Sequence, residues 1–436
     1  MFYLEAENQS RRSAQHSLRE RNGKRLFNII NLNGQTTRAE LVRRSGLSPS
    51  TVSSLVADLV RADLVRELGL AQPSSASGRR PILLSVHPGG RQFPVFSLGD
   101  CGVSYKLYDL GGNVLDDVFR PFLSDDSSGA DWQALFRDAG EDYTAIIAEI
   151  LERQSPHFDR RKAPALLISY PGIYLEEERR FLLTATNTSF QLSALKALER
   201  RVGLPVFIGN SSASLAYAEK KRLDGSGRPA EELIYVNVCG GVGAGIVSRR
   251  DVLVRPGRIA GEIGHMTIQI DGRPCPCGNR GCLEQYVNLN AIVSEVRRSV
   301  AQDASGMHAE VLRRLLAETT LERIGAAYAQ GVPSVREAMD RVAGWLAAGI
   351  YGAVNVTGIR CVIVGGIEAL GEEFLATLRR CVIGSPARFL MRNVTVMYQH
   401  IRPEDEGFGI AQYFIDKVWS LAVDNPPCFP AEQKEE

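Results

Sequence analysis

GEIGHMTIQIDGRPCPCGNRGCLE, residues 261–284, sets three cysteines, a histidine and two glutamates close together. Cys275, Cys277 and Cys282 fall within eight positions, and His265 precedes the first of them by ten. Such a set serves a catalytic metal, a structural metal or disulfides. The rest of the chain argues against disulfides. Its start, MFYLEAENQSRR, carries acids where a secretory leader needs a basic segment and an apolar core, and the longest apolar run, around Trp345 to Val354, falls well short of the ~20 residues of a membrane span. The expected location is the cytoplasm, with no membrane partner, and a reducing cytosol disfavours disulfides. Three thiolates and the His265 imidazole form a soft tetrahedral set suited to zinc, and four protein ligands leave no position for an activated water. The expected metal is therefore structural. On the residues alone, free thiols in a Gly/Pro-rich loop remain the alternative; Pro274, Pro276, Gly272, Gly278 and Gly281 suit a tight knuckle.

Composition is that of an ordinary soluble globular protein: 436 residues, 44% hydrophobic and 23% charged, enough for roughly three domains. The net charge of +1 is unevenly spread, because residues 1–88 hold thirteen Lys and Arg against seven Asp and Glu. A basic module joined to an acidic body points to nucleic acid at the N-terminal end.

Within that module, Leu26, Ile29 and Ile30 predict a helix over Lys24 to Asn33, stopped by Gly34. Thr37 with Glu40 three residues on predicts a capping box and a second helix start. After the turn SGLS, Ser48 can cap and Pro49 can open a third helix whose Val52, Leu55, Val56 and Leu59 form one apolar stripe. The opposite face offers Ser50, Thr51, Ser54 and Arg61. Two short helices joined by a four-residue turn fit a helix-turn-helix reader of the major groove. Leu64 to Gly69 and Arg80 to Val86 predict two strands of a wing, with Arg79 and Arg80 near its tip for phosphate or a minor groove. Lys24, Arg38 and Ser48 complete the candidate DNA-contacting set. A helical hairpin for protein contacts is the competing reading.

Beyond residue 90, VFSLGDCGVSYKLYDLGGNVL (95–115) and LIYVNVCGGVGAGIVSRRDVL (233–253) share one outline: strand, glycine bend, strand, hairpin turn. Interleaved with predicted helices over 143–153, 193–202 and 334–356, this duplication implies two α/β lobes with a ligand cleft between them.

Together, the module NGKRLFNIINLNGQTTRAELVRRSGLSPSTVSSLVADLVRADLVRELG, the GRRP turn, GEIGH and CPCGNRGCLE resemble the ROK family (repressors, open reading frames and sugar kinases), specifically its winged-helix transcription factors. The resemblance runs over nearly the whole chain. It implies an α/β fold in which an N-terminal winged helix-turn-helix precedes a two-lobed, actin-like, ribonuclease-H-like body of sugar-kinase type. It also implies zinc on His265, Cys275, Cys277 and Cys282, and a sugar pocket near Asn210, Glu262, His265 and Glu284, with Asn187 as a further candidate. The expected division is a tail over 1–20, the winged module over 21–88, a first lobe over 92–208 with a C-terminal helix near 406–421 packing back on it, a second lobe with the knuckle over 209–405, and a tail over 422–436.

Kinases of this family carry Asn-Asp where this chain reads Asn210-Ser211, and a serine hydroxyl is no general base at neutral pH. The first phosphate turn reads Ser97-Leu98-Gly99-Asp100-Cys101, without the initial acid of the family pattern and with a negative charge where phosphate would approach. No catalytic residue and no ATP are expected. The resulting expectation is a sugar-responsive regulator, a repressor of carbohydrate-metabolism genes, whose partners are operator DNA, a small sugar or sugar derivative, and further copies of itself as a homodimer or homotetramer. The alternatives are an active sugar kinase with a DNA-binding domain and a regulator controlled by a partner protein.

Overall fold

The computed structural model describes residues 14–70, 80–99, 102–121, 142–175, 180–183, 188–227, 230–248, 252, 260–303, 308–384, 391–402 and 405–418. Helix α1 begins at Ala14 instead of Lys24 and runs to Asn33, because the good helix formers Leu18 to Arg21 carry it ahead of the face that packs. After β1 (Thr36–Thr37), helix α2 (Arg38–Ser45) is capped by Thr37, whose side chain accepts from Glu40 N–H. Only half of the predicted capping box forms, since the Glu40 carboxylate pairs with Arg43 and Arg44. Helix α3 (Pro49–Arg61) starts on Ser48, which accepts from Thr51 N–H at 3.2 Å, and buries Val52, Leu55, Val56 and Leu59. Leu26, Phe27, Ile30 and Leu41 close on that stripe, each at 0% exposure. A fully buried aliphatic side chain contributes about 1.5–3 kcal/mol, enough for this stripe to order a module whose surface is polar. Strands β2 (Val65–Leu70) and β3 (Ile82–Val86) form the wing, in a sheet of order β1-β3-β2.

The first lobe is built on β4 (Gln92–Gly99), β5 (Gly102–Asp109), β6 (Val114–Pro121), β7 (Leu166–Tyr170) and β11 (Val206–Asn210), in the order β11-β7-β4-β5-β6. Strands β4 to β6 are antiparallel, whereas β7 is parallel to both β4 and β11. Helices α4 (Asp142–Glu149) and α5 (Leu192–Val202) belong to this lobe, and a small sheet of β8 (Ile173–Leu175), β9 (Arg180–Leu183) and β10 (Thr188–Gln191) extends it. Helix α6 (Ser211–Gly225) then leads to the second sheet, β12 (Leu233–Val238), β13 (Val242–Val247), β14 (Cys361–Gly365) and β15 (Thr395–Tyr398), ordered β13-β12-β14-β15. Here again an antiparallel pair comes first and a parallel neighbour follows, so the repeated outline in the sequence is a repeated topology.

The second lobe's sheet and knuckle share a core with α7 (Glu284–Val287), α8 (Leu289–Ala301), α9 (Ala309–Ala317), α10 (Leu321–Ala329), α11 (Pro333–Thr357) and α12 (Gly371–Ile383). The chain returns through α13 (Glu406–Tyr413), packed on α6, β4 and β7, and a wider turn, Phe414–Val418. Residues 419–421 of the predicted C-terminal helix lie outside the described residues. No described helix is long and apolar enough to cross a membrane.

Candidate functional site

The knuckle brings the four predicted ligands into one cluster. One ligand atom from each of His265, Cys275, Cys277 and Cys282 lies within 4.8 Å of all the others. His265 Nδ1 is 3.8 Å from Cys275 Sγ, and Cys277 Sγ is 3.8 Å from Cys282 Sγ. A tetrahedron with metal–sulphur bonds of about 2.3 Å has edges of about 3.8 Å, so the spacing fits a zinc-sized cation. Burial pushes the Cys275 and Cys282 thiols up, so a metal must displace their protons and binds less tightly as pH falls. The turn depends on Gly281: its φ is +71°, and a Cβ there would sit 1.6 Å from the Gln269 carbonyl oxygen.

A second network, invisible in the sequence, fastens the knuckle to the lobe. The Arg273 guanidinium lies over the rings of Tyr286 and Trp345, 4.5 and 5.5 Å from their centroids, and pairs with Glu295 at 2.9 Å. The Glu295 side chain is fully buried and also holds Arg298 and Arg341. Three guanidinium partners compensate its desolvation, and removing one member of such a pair costs about 3–5 kcal/mol.

Of the candidate ligand residues, Glu262 and Glu284 flank His265 in this cluster. His265 turns Nε2 towards Glu262, 3.9 Å away, while Nδ1 faces the cysteines, so one ring can serve a metal and a ligand at once. Burial, and then the charge of Glu284, push Glu262 up to about 7. Glu284 itself is buried and faces the knuckle, accepting from the Cys275 thiol at 3.1 Å and the Gln285 amide at 3.3 Å. Asn210 caps α6: its Oδ1 accepts from Ala213 N–H at 3.1 Å and its Nδ2 donates to the Gly172 carbonyl at 3.0 Å. Asn187 lies outside the described residues. Helix α6 and the turn carrying His265 both rest on β13, where Cβ atoms on Gly245 and Gly264 would lie 2.0 and 2.1 Å from the carbonyl oxygens of Ser212 and Val242.

On the DNA module, Ser50 and Ser54 are exposed on α3 and Thr51 is half-buried beside its cap. Arg38 is tied to the wing through Glu67 at 2.7 Å. Arg80 is exposed, and Arg79 lies outside the described residues. Arg19, not among the sequence candidates, reaches from α1 onto α3 and donates to Ser54 Oγ at 2.9 Å and Asp58 at 3.1 Å. Lys24 needs correction. Its side chain is engaged by the body, donating to the Ile415 carbonyl, and burial pushes its ammonium down to about 8. Replacing Arg80 with alanine is expected to weaken duplex binding and to reduce the slope of log affinity against log salt by about one unit. An unchanged slope in titrations across salt would remove the wing arginine from the interface.

Of the positions where the resemblance implies a kinase carboxylate, Ser211 is buried in the first turn of α6, and Ser97 stands opposite Ser169 in the β4–β7 register. Asp100 and Cys101 lie outside the described residues. In the later glycine turn, the Gly366 N–H is taken by the chain's own Glu368 carboxylate at 2.9 Å.

Residues 138–409 match the ROK family and residues 19–66 match the winged helix-turn-helix DNA-binding family. The chain is 29% identical over 318 residues to the xylose repressor of Caldicellulosiruptor bescii, covering 71% of this chain and 74% of that protein. It is 33% identical over 206 residues to the N-acetylmannosamine kinase of Escherichia coli K12, covering 47% of this chain and 64% of that protein. A crystal structure described as a ROK family transcriptional regulator, homologous to the E. coli MLC protein, aligns with a TM-score of 0.73 at 25% identity, over 92% of this chain and 97% of that one. The chain belongs to the ROK family, and its N-terminal module is a winged helix-turn-helix.

Proposed function

We propose that the chain is a sugar-responsive repressor that reads operator DNA through the winged module and senses its effector in the cleft beside the knuckle, without phosphoryl transfer. One observation carries this reading: a DNA-binding module and a ROK body stand in one chain, and that body has serine at two positions where the family's kinases use carboxylates. In this reading a structural zinc on His265, Cys275, Cys277 and Cys282 orients His265, and Asn187, Asn210, Glu262, His265 and Glu284 line the effector site. DNA is met by Arg38, Ser48, Ser50, Thr51, Ser54, Arg79 and Arg80. The module spans 21–88, the lobes 92–208 and 209–405, and 406–421 returns to the first lobe. Pairing of two chains supplies the two-fold symmetry that one short recognition helix needs for specificity. The xylose repressor relative makes D-xylose the first effector to test.

The test is a titration of an operator duplex, selected from a random library, across concentrations of D-xylose and a panel of other sugars. One sugar is expected to weaken operator binding by about 5–150-fold, a coupling of ~1–3 kcal/mol, and Glu262→Ala to abolish that response. A sugar that binds yet leaves operator affinity unmoved would favour control by a partner protein.

A further inference from the structure

Among the described residues, two sets of hydrogen bonds hold the DNA module to the body. The first is the linker: Leu110 N–H donates to the Pro88 carbonyl at 3.0 Å, and Lys162 Nζ donates to the Gly89 carbonyl at 3.0 Å. A single attachment fixes position and leaves a module free to swivel. The second removes that freedom, because Lys24, midway along α1, donates to the carbonyl of Ile415 in the turn that follows α13. Leu26, Phe27 and Ile30 belong to one continuous apolar core with Phe93, Phe207, Tyr217, Phe414 and Ile415.

The residue after Ile415 is Asp416, and it belongs to a different connection. Its Oδ2 accepts from Tyr217 at 2.7 Å and from Lys221 at 2.8 Å, both on α6. Asp416 and Lys221 are each 12% exposed, so the pair is shielded and its geometry matters. Helix α6 starts at the capping Asn210, and its first turn lies against β13, on which the His265 turn also rests. A run of direct contacts therefore leads from the knuckle through β13 and α6 to Asp416, and from its neighbour Ile415 to Lys24. A buried ammonium loses hydration that an apolar side chain in its place would not. What the ammonium adds is dependence on where the Ile415 carbonyl and the Asp416 and Glu20 carboxylates, whose charges it feels, stand.

We infer that Asp416 is a positioning residue that joins the cleft helix to the DNA module, so that a ligand shifting α6 reorients α1 and with it the recognition helix. This rests on the sensor reading given above. With two points of attachment, a change in the effector site would reach α3 without unfolding the module, because α1 packs on α3 and is held by the turn that carries Ile415.

The experiment uses full-length protein with Asp416→Asn and, separately, Lys24→Met, which keeps the apolar stem. The probes are the selected operator duplex and D-xylose, followed by the same sugar panel. Both variants are expected to bind sugar and operator near native strength and to lose most of the fold-change that sugar imposes on operator affinity. Hydrogen exchange of amides 24–30 is expected to quicken about tenfold, with β12 and β14 unchanged. Native coupling retained in both variants, or α1 exchange as slow as native in both, overturns the inference alone. A native protein whose operator affinity no sugar moves overturns the sensor reading and this inference with it.

Discussion

Protein carrying Cys282→Ser is expected to purify with far less than one zinc per chain and to lose order in the segment between Thr267 and Leu283. Cys282 is fully buried, and its sulphur lies 3.8 Å from Cys277. Serine offers a hard hydroxyl in place of a thiolate and leaves three ligands, so the loss of affinity should exceed the roughly 10–100-fold that follows loss of an outer-sphere partner. Since Leu283 and Tyr286 belong to the second lobe's core, loosening should spread to the start of α7 and weaken the effector site through His265. Chelation of the native protein should reproduce the effect, and mildly acidic buffer should ease zinc release, because protons compete for thiols whose ordinary values burial has already raised. Metal analysis is the check. A native protein without zinc, or a Cys282→Ser protein with a full equivalent, would refute the structural metal.

The knuckle was legible because its ligands lie close along the chain and their chemistry admits few uses. The winged module was legible for a related reason: the Thr37 cap, the Ser48 cap and the α3 stripe are local, and each spacing states its own structure. Lys24 was misread because a lysine in a basic module looks like a phosphate contact. Its partner lies 391 positions away, and no local pattern announces it. Arg273 and Glu295 went unnoticed on the same ground, since Glu295 collects partners from 3 to 46 positions distant and only the fold gathers them. Glu284 marks a subtler limit. Its place in CPCGNRGCLE was plain, but which groups its carboxylate meets depends on a backbone turn, and here one oxygen meets Cys275, Gln285 and His265.

No sugar phosphorylation is expected, with turnover at least about 10⁴-fold below the 1–100 s⁻¹ of working kinases. Loss of a general base alone costs about 10²–10⁴-fold, and Ser211 cannot take a hydroxyl proton at neutral pH. The second deficit is independent. The family resemblance implies a carboxylate at position 97, where this chain has serine, and Ser169 is its partner across the register. Among the described residues, Glu406 is a buried acid near Ser169, pushed up to about 7 by burial and poorly suited to hold a full negative charge there. On the opposite lobe, Glu368 already occupies the Gly366 N–H of the later glycine turn. Restoring aspartate at Ser211 should therefore leave the protein inactive, whereas a change confined to one deficit would recover measurable turnover if the others were harmless. A coupled assay with ATP and the sugar panel separates these outcomes. Sugar-dependent ADP release at ordinary kinase rates in the native protein, or in Ser211→Asp alone, would show that the carboxylate at the first turn is dispensable and that the body is still an enzyme.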